Sequence, residues 1–281
     1  MHPRHYAISL IEQLKIDSLP IDPFSIAESL NISVVETNAK GYEGLLIKVS
    51  ENTQIIISNK ITNYGRKKFT LAHELGHYSI PSHTKDSFEC TADFFSPFKI
   101  NPLIEDEANQ FASELLLPEK FLKPILHTCK PDFESMNELA EDCEASLTAT
   151  SIKFVDLTED CCALIATSNN KIRWFRKSTS FPYYIEQGSQ ITAGTLTASY
   201  SLNGVLKEPC KEKIHASYWF NGKGIDSSTT LMESCLPMPY YDVVLTIIWF
   251  PDPSFDSSGY GDIEKERRYE ESPWRWADPD E

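Results

Sequence analysis

The spacing of apolar residues predicts alternating helices and strands in the first half of the chain and mostly strands in the second. Apolar positions three or four residues apart indicate helices, and alternating or short continuous apolar runs indicate strands. The helical pattern covers residues 6–15, 23–31, 62–80, 104–117, 135–144 and 147–156. The strand pattern covers residues 32–35, 44–49, 54–58, 162–167, 171–176, 190–202, 214–220, 229–235 and 242–250. The fold class predicted from these patterns is α+β.

The order of these elements predicts four segments. Residues 1–127 are expected to form an α+β domain, in which residues 82–102 are a loop between two long helices. Residues 128–158 are expected to form a helical segment that resembles a helix-turn-helix. Residues 159–251 are predicted to be a β-rich α+β domain, and the acidic residues 252–281 a disordered tail.

Composition and charge narrow the classes of function. The 281 residues carry a formal net charge of −15, which disfavours non-specific binding to nucleic acid because phosphate contacts need Lys and Arg. The longest apolar run, residues 243–250, is too short to span a membrane, and the first residues lack the apolar core of a signal peptide. The 7 cysteines, at irregular spacing, favour free thiols in a reducing compartment. We therefore expect a cytoplasmic protein with no membrane partner.

One of the predicted helices carries a pattern that binds metal ions. Two histidines stand four residues apart, with a carboxylate directly after the first, in His73-Glu74-Leu75-Gly76-His77. Residues i and i+4 share a helix face, so both imidazoles can reach one metal ion, whereas Glu74 points elsewhere and is placed to act on a bound water. Without supporting context the same pattern also describes two buried histidines that hydrogen-bond inside a helix pair.

The ends and the glycine of this helix are also informative. Thr62 or Asn63 is the expected N-cap, and Pro81 ends the helix. Gly76 lies on the histidine face, where the missing side chain would let a neighbouring helix or a substrate come close.

The next predicted helix, residues 104–117, offers a third metal ligand. Glu105 lies on its apolar face with Asn109 one turn later, and a carboxylate on such a face needs a partner. Glu107 is the rival ligand, but it shares the opposite face with Gln110 and Glu114, which we interpret as solvated. The predicted third ligand is therefore Glu105, and Asn109 is expected to form a hydrogen bond with a ligand histidine.

Two imidazoles, one carboxylate and an open fourth position are typical of catalytic zinc. We expect one Zn²⁺ ion held by the two histidines and Glu105, with water in the fourth position. Glu74 would accept the proton of that zinc-bound water as it attacks a polarised carbonyl, and would then donate it to the leaving amine. The sequence does not identify a further donor for the oxyanion, and the nearby Tyr64, Arg66 and His83 are interpreted as structural.

These motifs resemble the ImmA/IrrE metallo-endopeptidases. The resemblance rests on residues 66–77, RKKFTLAHELGH, and residues 104–118, IEDEANQFASELLLP, and it covers residues 5–125. It implies a gluzincin-like zinc peptidase domain and a Glu third ligand with Asn or Asp four residues later, which matches Glu105 and Asn109. Members typically cleave helix-turn-helix repressors and so derepress mobile-element or stress-response genes in bacteria.

The part of the chain beyond that domain is similar to the longer, IrrE-like members. Some members carry an N-terminal DNA-binding domain, which we do not expect here. The resemblance implies that the last domain is similar to a GAF sensor fold, so residues 160–250 are predicted to be regulatory or to dock a substrate.

The sequence leaves three functions open. The first is a cytoplasmic zinc endopeptidase whose substrate is a specific protein, in particular a helix-turn-helix repressor. The second is a non-proteolytic regulator that binds zinc and acts by binding its partner, although such a protein has no need of Glu74. The third is a DNA-binding regulator that uses residues 133–156, which the acidic charge of that segment disfavours.

Overall fold

The chain divides into two units of mixed α and β structure. In this computed structural model the described residues are 2–38, 41–49, 52–90, 102–203, 210–220, 228–239 and 242–251. The first unit contains Met1–Lys130 and Glu134–Thr158, and the second contains Pro131–Phe133 and Glu159–Glu281. The α+β class predicted from the sequence is confirmed. The four segment boundaries predicted above stay predictions.

The first unit contains seven helices and four strands among its described residues. The helices are α1 (Pro3–Gln13), α2 (Pro23–Ser29), α3 (Tyr64–Ser79), α4 (Pro102–Leu116), α5 (Glu119–Leu126), α6 (Phe133–Asp142, whose first residue falls in the second unit) and α7 (Leu147–Leu157). The strands are β1 (Ser33–Thr37), β2 (Gly44–Val49), β3 (Asn52–Ser58) and β4 (Ser87–Cys90). The strands form one sheet of order β1-β3-β2-β4, in which only the β1–β3 pair is parallel.

The histidine helix α3 packs on this sheet through its apolar side. Leu71 and Leu75 are fully buried, as are Leu46 of β2 and Ile55 of β3. Asn63 is the N-cap, because its side chain accepts a hydrogen bond from the backbone N–H of Arg66. The predicted helix start is thereby confirmed, and a fixed start also fixes which face of α3 carries the histidines.

Helices α3 and α4 approach closely at Gly76. A Cβ atom at this glycine would lie 3.2 Å from both the Cα and the carbonyl oxygen of Ala108, tighter than ordinary van der Waals contact. The glycine therefore makes room for a neighbouring helix and not for a substrate, which decides between the two alternatives left open by the sequence.

Part of the opposite face of α4 is buried, which corrects one prediction. Glu114 was expected to be solvated, but its side chain is 3% exposed and pairs with Lys153 of α7, itself 1% exposed. The carboxylate also accepts a hydrogen bond from the backbone N–H of Glu119 at the start of α5. The prediction failed because a buried partner came from residues far along the chain.

The second unit is built on a five-stranded antiparallel sheet. Its elements are β5 (Cys162–Ser168), β6 (Lys171–Lys177), α8 (Leu196–Asn203), β7 (Cys210–His215), β8 (Thr230–Met238) and β9 (Val243–Trp249). The strand order is β6-β5-β9-β8-β7. Asn169 and Asn170 take positive φ angles of 50° and 58° in the turn between β5 and β6, so the two strands predicted at 162–167 and 171–176 form a hairpin.

Three predicted elements of the chain are corrected. Residues 190–202 were predicted as a strand, but α8 begins at Leu196 and its first turn donates backbone N–H groups to the buried carboxylate of Glu233. Residues 214–220 were also predicted as a strand, whereas β7 ends at His215 and a short 3₁₀ helix, Ala216–Tyr218, follows. The predicted loop 82–102 contains β4, and the predicted tail 252–281 lies outside the described residues.

Two further findings concern membrane-spanning helices and cysteines. Within the described ranges, no helix has both the length and the apolar character needed to cross a membrane. The cysteines whose side chains the structure describes are free thiols: Cys129, Cys143, Cys161, Cys162, Cys210 and Cys235.

Candidate metal centre

Helix α3 places the two predicted histidine ligands side by side. His73 and His77 are 5% and 0% exposed, and their Nε2 atoms lie 3.0 Å apart. This proximity follows from the i, i+4 spacing, which puts both rings on the same face of the helix. Since both Nε2 atoms point to one place, a single ion there can contact both rings.

The first turn of α4 brings Glu105 to the same place. Its Oε2 lies 3.2 Å from Nε2 of His73, and its Oε1 lies 3.6 Å from Nε2 of His77. Ligand atoms on a tetrahedral zinc ion with bonds of about 2.0–2.1 Å are themselves about 3.3 Å apart. The three separations therefore suit one such ion, and these three residues form a group that could hold a metal.

The electrostatics of these residues suit metal ligands. Burial lowers the pKa of His77 to about 4, so its ring is neutral near neutral pH. Burial acts in the same direction on His73, but the hydrogen bond that its ring donates to Glu105 and the nearby carboxylates outweigh it, so the pKa of His73 is raised. Burial would raise the pKa of Glu105, yet its close contacts with the two histidines hold that pKa well below the usual range. The carboxylate is therefore ionised, as a ligand must be.

Each histidine is also held through its other ring nitrogen. Nδ1 of His73 lies 2.9 Å from Oδ1 of Asn109, which is the hydrogen bond expected from the sequence. Nδ1 of His77 lies 2.9 Å from Nδ1 of His83, and Nε2 of His83 lies 2.9 Å from Oε2 of Glu107. Glu107 was expected to be solvated and to need no partner; its side chain is 39% exposed, but its carboxylate does have a partner, the buried His83.

His83 was interpreted from the sequence as structural, and its contact with His77 was not predicted because no helical period connects it to the motif. It follows the end of α3, where its backbone N–H bonds the carbonyl of Ile80 and the chain turns back. Lys48 of β2 donates to the backbone carbonyls of both His77 and His83 at 2.9 and 3.1 Å. Phe88 of β4 stacks on the ring of His77, with centroids 4.2 Å apart.

Glu74 is fully buried and lies against the start of β2. A Cβ atom at Gly44 would come within 2.3 Å of Oε1 of Glu74, so only glycine leaves room for this carboxylate. The sequence predicted Gly44 as the start of a strand, without a link to Glu74. Such a cross-element contact has no local sequence signal.

Of the other polar residues near the motif, Arg66 forms an ion pair and Tyr64 is largely exposed. Arg66 binds both carboxylate oxygens of Glu43, at 3.1 and 2.7 Å. Tyr64, at the start of α3, is 52% exposed.

Comparison with known proteins identifies a family model that matches much of the first unit. Residues 27–154 match the family model for the IrrE N-terminal-like domain, peptidase family M78. This range includes α3, α4 and all three residues of the candidate metal site. This match and the two curated relatives described next support the resemblance to the ImmA/IrrE family that the sequence motifs indicated.

Two curated relatives and one solved structure are similar to the chain. It is 32% identical over 98 residues to an uncharacterized immunity region protein 2 of Bacillus phage phi105, covering 35% of this chain and 60% of the relative. It is 28% identical over 104 residues to the radiation response metalloprotease IrrE of Deinococcus radiodurans, covering 37% of this chain and 31% of the relative.

The solved structure is a Mycobacterium tuberculosis transcriptional regulator, with a TM-score of 0.57 and 11% identity over 88% of this chain and 86% of that one. At that identity the likeness concerns the fold alone. The match to the curated relatives spans only part of their length, as the 60% and 31% coverage shows.

Proposed function

We propose that the protein is a zinc-dependent endopeptidase that hydrolyses a peptide bond in a specific protein. In this proposal His73, His77 and Glu105 hold one zinc ion, and Glu74 is the general base. The observation that carries the proposal is the set of three ligand atoms at separations suited to one tetrahedral ion, with the buried carboxylate of Glu74 on the same helix.

The chain's own residues divide the work in this mechanism. When bound, zinc would supply Lewis acidity, which lowers the pKa of a water to about 7 and polarises a carbonyl. Glu74 accepts a proton from the attacking water on its carboxylate and returns it to the leaving amine. Asn109 holds His73 so that Nε2 faces the site, and the close fit at Gly44 holds Glu74 in place.

The proposed substrate is a helix-turn-helix repressor in the cytoplasm. Support comes from the relatives, one named for a phage immunity region and the other for a radiation response. Both names connect proteins similar to this chain with regulated responses. The second unit, predicted to be a GAF-like regulatory or docking domain, is a candidate for the part that receives the signal, and its five-stranded antiparallel sheet supports that proposal.

The packing of the helical segment argues against direct DNA binding by residues 133–156. The one lysine of α7, Lys153, is 1% exposed and paired with Glu114, so it cannot contact a phosphate. Thr150 and Ser151, the polar residues in the middle of α7, are fully buried as well. A helix that reads DNA needs such groups on its surface.

The decisive experiment compares zinc binding with cleavage. The full-length protein is incubated with zinc and a repressor encoded beside it, and cleavage is followed by mass spectrometry, with Glu74→Gln as the test variant. We expect this variant to keep one zinc per chain and to lose turnover by about 10²–10⁴-fold, the usual contribution of a general base. Glu12→Gln, an exposed carboxylate of α1, is the matched control and should retain full activity.

The outcomes separate the two remaining functions. Equal cleavage by the Glu74→Gln variant would reject Glu74 as the base. Zinc binding and capture of the repressor without any cleavage would instead favour the non-proteolytic regulator.

A further inference from the structure

A second histidine–carboxylate pair lies directly behind the metal-facing histidine of α3. The ring of His83 is 2% exposed and stands between Nδ1 of His77 and the carboxylate of Glu107, with 2.9 Å on each side. These three groups form a continuous hydrogen-bonded row from a half-buried carboxylate to the candidate metal site.

The carboxylate sets the direction of every hydrogen bond in this row. Glu107 can only accept, so the neutral ring of His83 must carry its hydrogen on Nε2 and leave Nδ1 as an acceptor. His77 must then carry its hydrogen on Nδ1 and donate it to His83. This leaves the lone pair on Nε2 of His77, the nitrogen that faces Glu105 and His73.

The reverse arrangement is unfavourable on the Glu107 side of His83. If His83 donated from Nδ1, its Nε2 lone pair would face the carboxylate of Glu107 at 2.9 Å, where two acceptors repel. His77 would then carry its hydrogen on Nε2, where it would block metal binding. The position of the carboxylate therefore selects the tautomer of His77 that a metal needs.

The surroundings hold the row in place. Lys48 donates to the backbone carbonyls of both histidines, which fixes the turn that brings His83 back to α3. Phe88 stacks on His77 with an interplanar angle of 15°, which restricts rotation of that ring. His73, by contrast, is held by the uncharged amide of Asn109 alone on its Nδ1 side.

We propose that His83 and Glu107 are positioning residues that fix the tautomer and orientation of His77 and thereby raise its affinity for the metal. The metal part of this inference rests on the proposed function, whereas the tautomer part concerns the chain by itself. Partners behind a metal-ligating histidine typically change metal affinity by about 10–100-fold when removed.

The test uses the full-length protein and two variants. Glu107→Ala removes the acceptor of the His83 hydrogen bond and leaves His83 packed. His83→Phe breaks the hydrogen-bonded row and keeps a ring in the buried space. Asp106→Ala, an exposed carboxylate next to Glu107 on the same helix, is the matched control. Long-range proton–nitrogen correlation spectra of the metal-free protein report the tautomer of His77, and competition with a zinc-binding indicator reports affinity.

We expect wild-type His77 to carry its hydrogen on Nδ1 and the control to be unchanged. Both Glu107→Ala and His83→Phe should give a mixture of His77 tautomers and a zinc affinity about 10–100-fold lower. An unchanged tautomer and affinity in the folded Glu107→Ala protein would overturn the proposal, as would a wild-type His77 that carries its hydrogen on Nε2. Because neither readout involves cleavage, the positioning role of His83 and Glu107 can be confirmed even if the Glu74→Gln experiment rejects peptidase activity.

Discussion

At the scale of single residues, the position of Glu74 depends on the absence of a side chain at Gly44. The carboxylate is fully buried, and the space that a Cβ atom would take at residue 44 is 2.3 Å from Oε1 of Glu74 and 2.9 Å from Cγ2 of Thr70. A general base acts only from a narrow range of positions, because misplacement by about 1 Å can cost about 10²-fold in rate. Gly44 therefore belongs to the catalytic machinery of the proposed enzyme although it carries no functional group.

Replacing Gly44 by Ala should separate turnover from metal binding. The added methyl group must displace the end of the Glu74 side chain, so we expect kcat to fall about 100-fold while zinc affinity is retained. Cleavage assays and zinc titration of the same preparation measure the two quantities. Gly41→Ala is the control for a general loss of stability. A Cβ atom there meets nothing within 4 Å, but any side chain is strained at the φ of +94°. That variant should lose stability and keep kcat, and a Gly44→Ala protein with normal kcat would contradict the prediction.

The residues found from the sequence are those on which one element imposes a regular spacing. His73 and His77 follow from the helical repeat of α3, and Glu105 and Asn109 from that of α4. His83 escaped prediction because its place depends on a turn after α3 and on contacts with another strand. Helical periodicity describes one face of one helix, and it contains no information on which loop returns to that face.

At the scale of elements, a buried ion pair ties α7 to α4, the helix that carries Glu105. Lys153 and Glu114 are 1% and 3% exposed, and Oε1 of Glu114 also accepts from the first residue of α5. Removing one partner of a buried pair leaves an unpaired charge, which is more costly than the pair is favourable. The helical segment 133–157 is therefore expected to stabilise α4 and, through it, the position of Glu105 in the candidate metal site.

The substitution Lys153→Met should lower the free energy of unfolding by about 3–5 kcal/mol, because Glu114 would be left buried without its cation. Adding Glu114→Gln, which removes the charge and keeps an acceptor for α5, should restore part of the loss. Urea denaturation followed by circular dichroism measures both. The control is Lys123→Met, whose side chain is 63% exposed and whose pair with Glu119 should be worth about 0–1 kcal/mol. Equal changes in the free energy of unfolding for the two lysine substitutions would show that the buried pair does not hold α7 to α4.

Elements were predicted well where their ends have local signals and poorly where a distant residue decides. Asp22 followed by Pro23 starts α2, with the Asp22 side chain accepting from Phe24 and Ser25. Helix α8 was predicted as a strand although Thr195, directly before it, accepts with its side chain from the backbone N–H of Ala198. The first two N–H groups of α8 bind the carboxylate of Glu233, which comes from β8. A carboxylate that arrives only after folding cannot be identified from the residues around the helix.

At the scale of the whole molecule, the candidate metal joins two helices that the sequence separates. His73 and His77 come from α3, and Glu105 comes from α4, so an ion held by all three links the helices by coordination. A ligand that binds only the folded state stabilises it by about 2.7 kcal/mol at a concentration of 100 times its Kd. The same ligands must be deprotonated, so protons compete with the metal.

Zinc should therefore raise the thermal unfolding temperature of the first unit and leave that of the second unit unchanged. His77, with its pKa of about 4, needs no deprotonation near neutral pH, whereas the pKa of His73 is raised and its proton must leave before the metal binds. The stabilisation is accordingly present above the pKa of His73 and is lost as the pH falls through it. Calorimetry with and without zinc measures this shift in the unfolding temperature. His73→Ala or Glu105→Ala should abolish the shift. His215 is an exposed histidine of the second unit, so the control variant His215→Ala should keep it. A shift that survives in His73→Ala and Glu105→Ala would mean that zinc binds elsewhere, and it would contradict the proposed metal site.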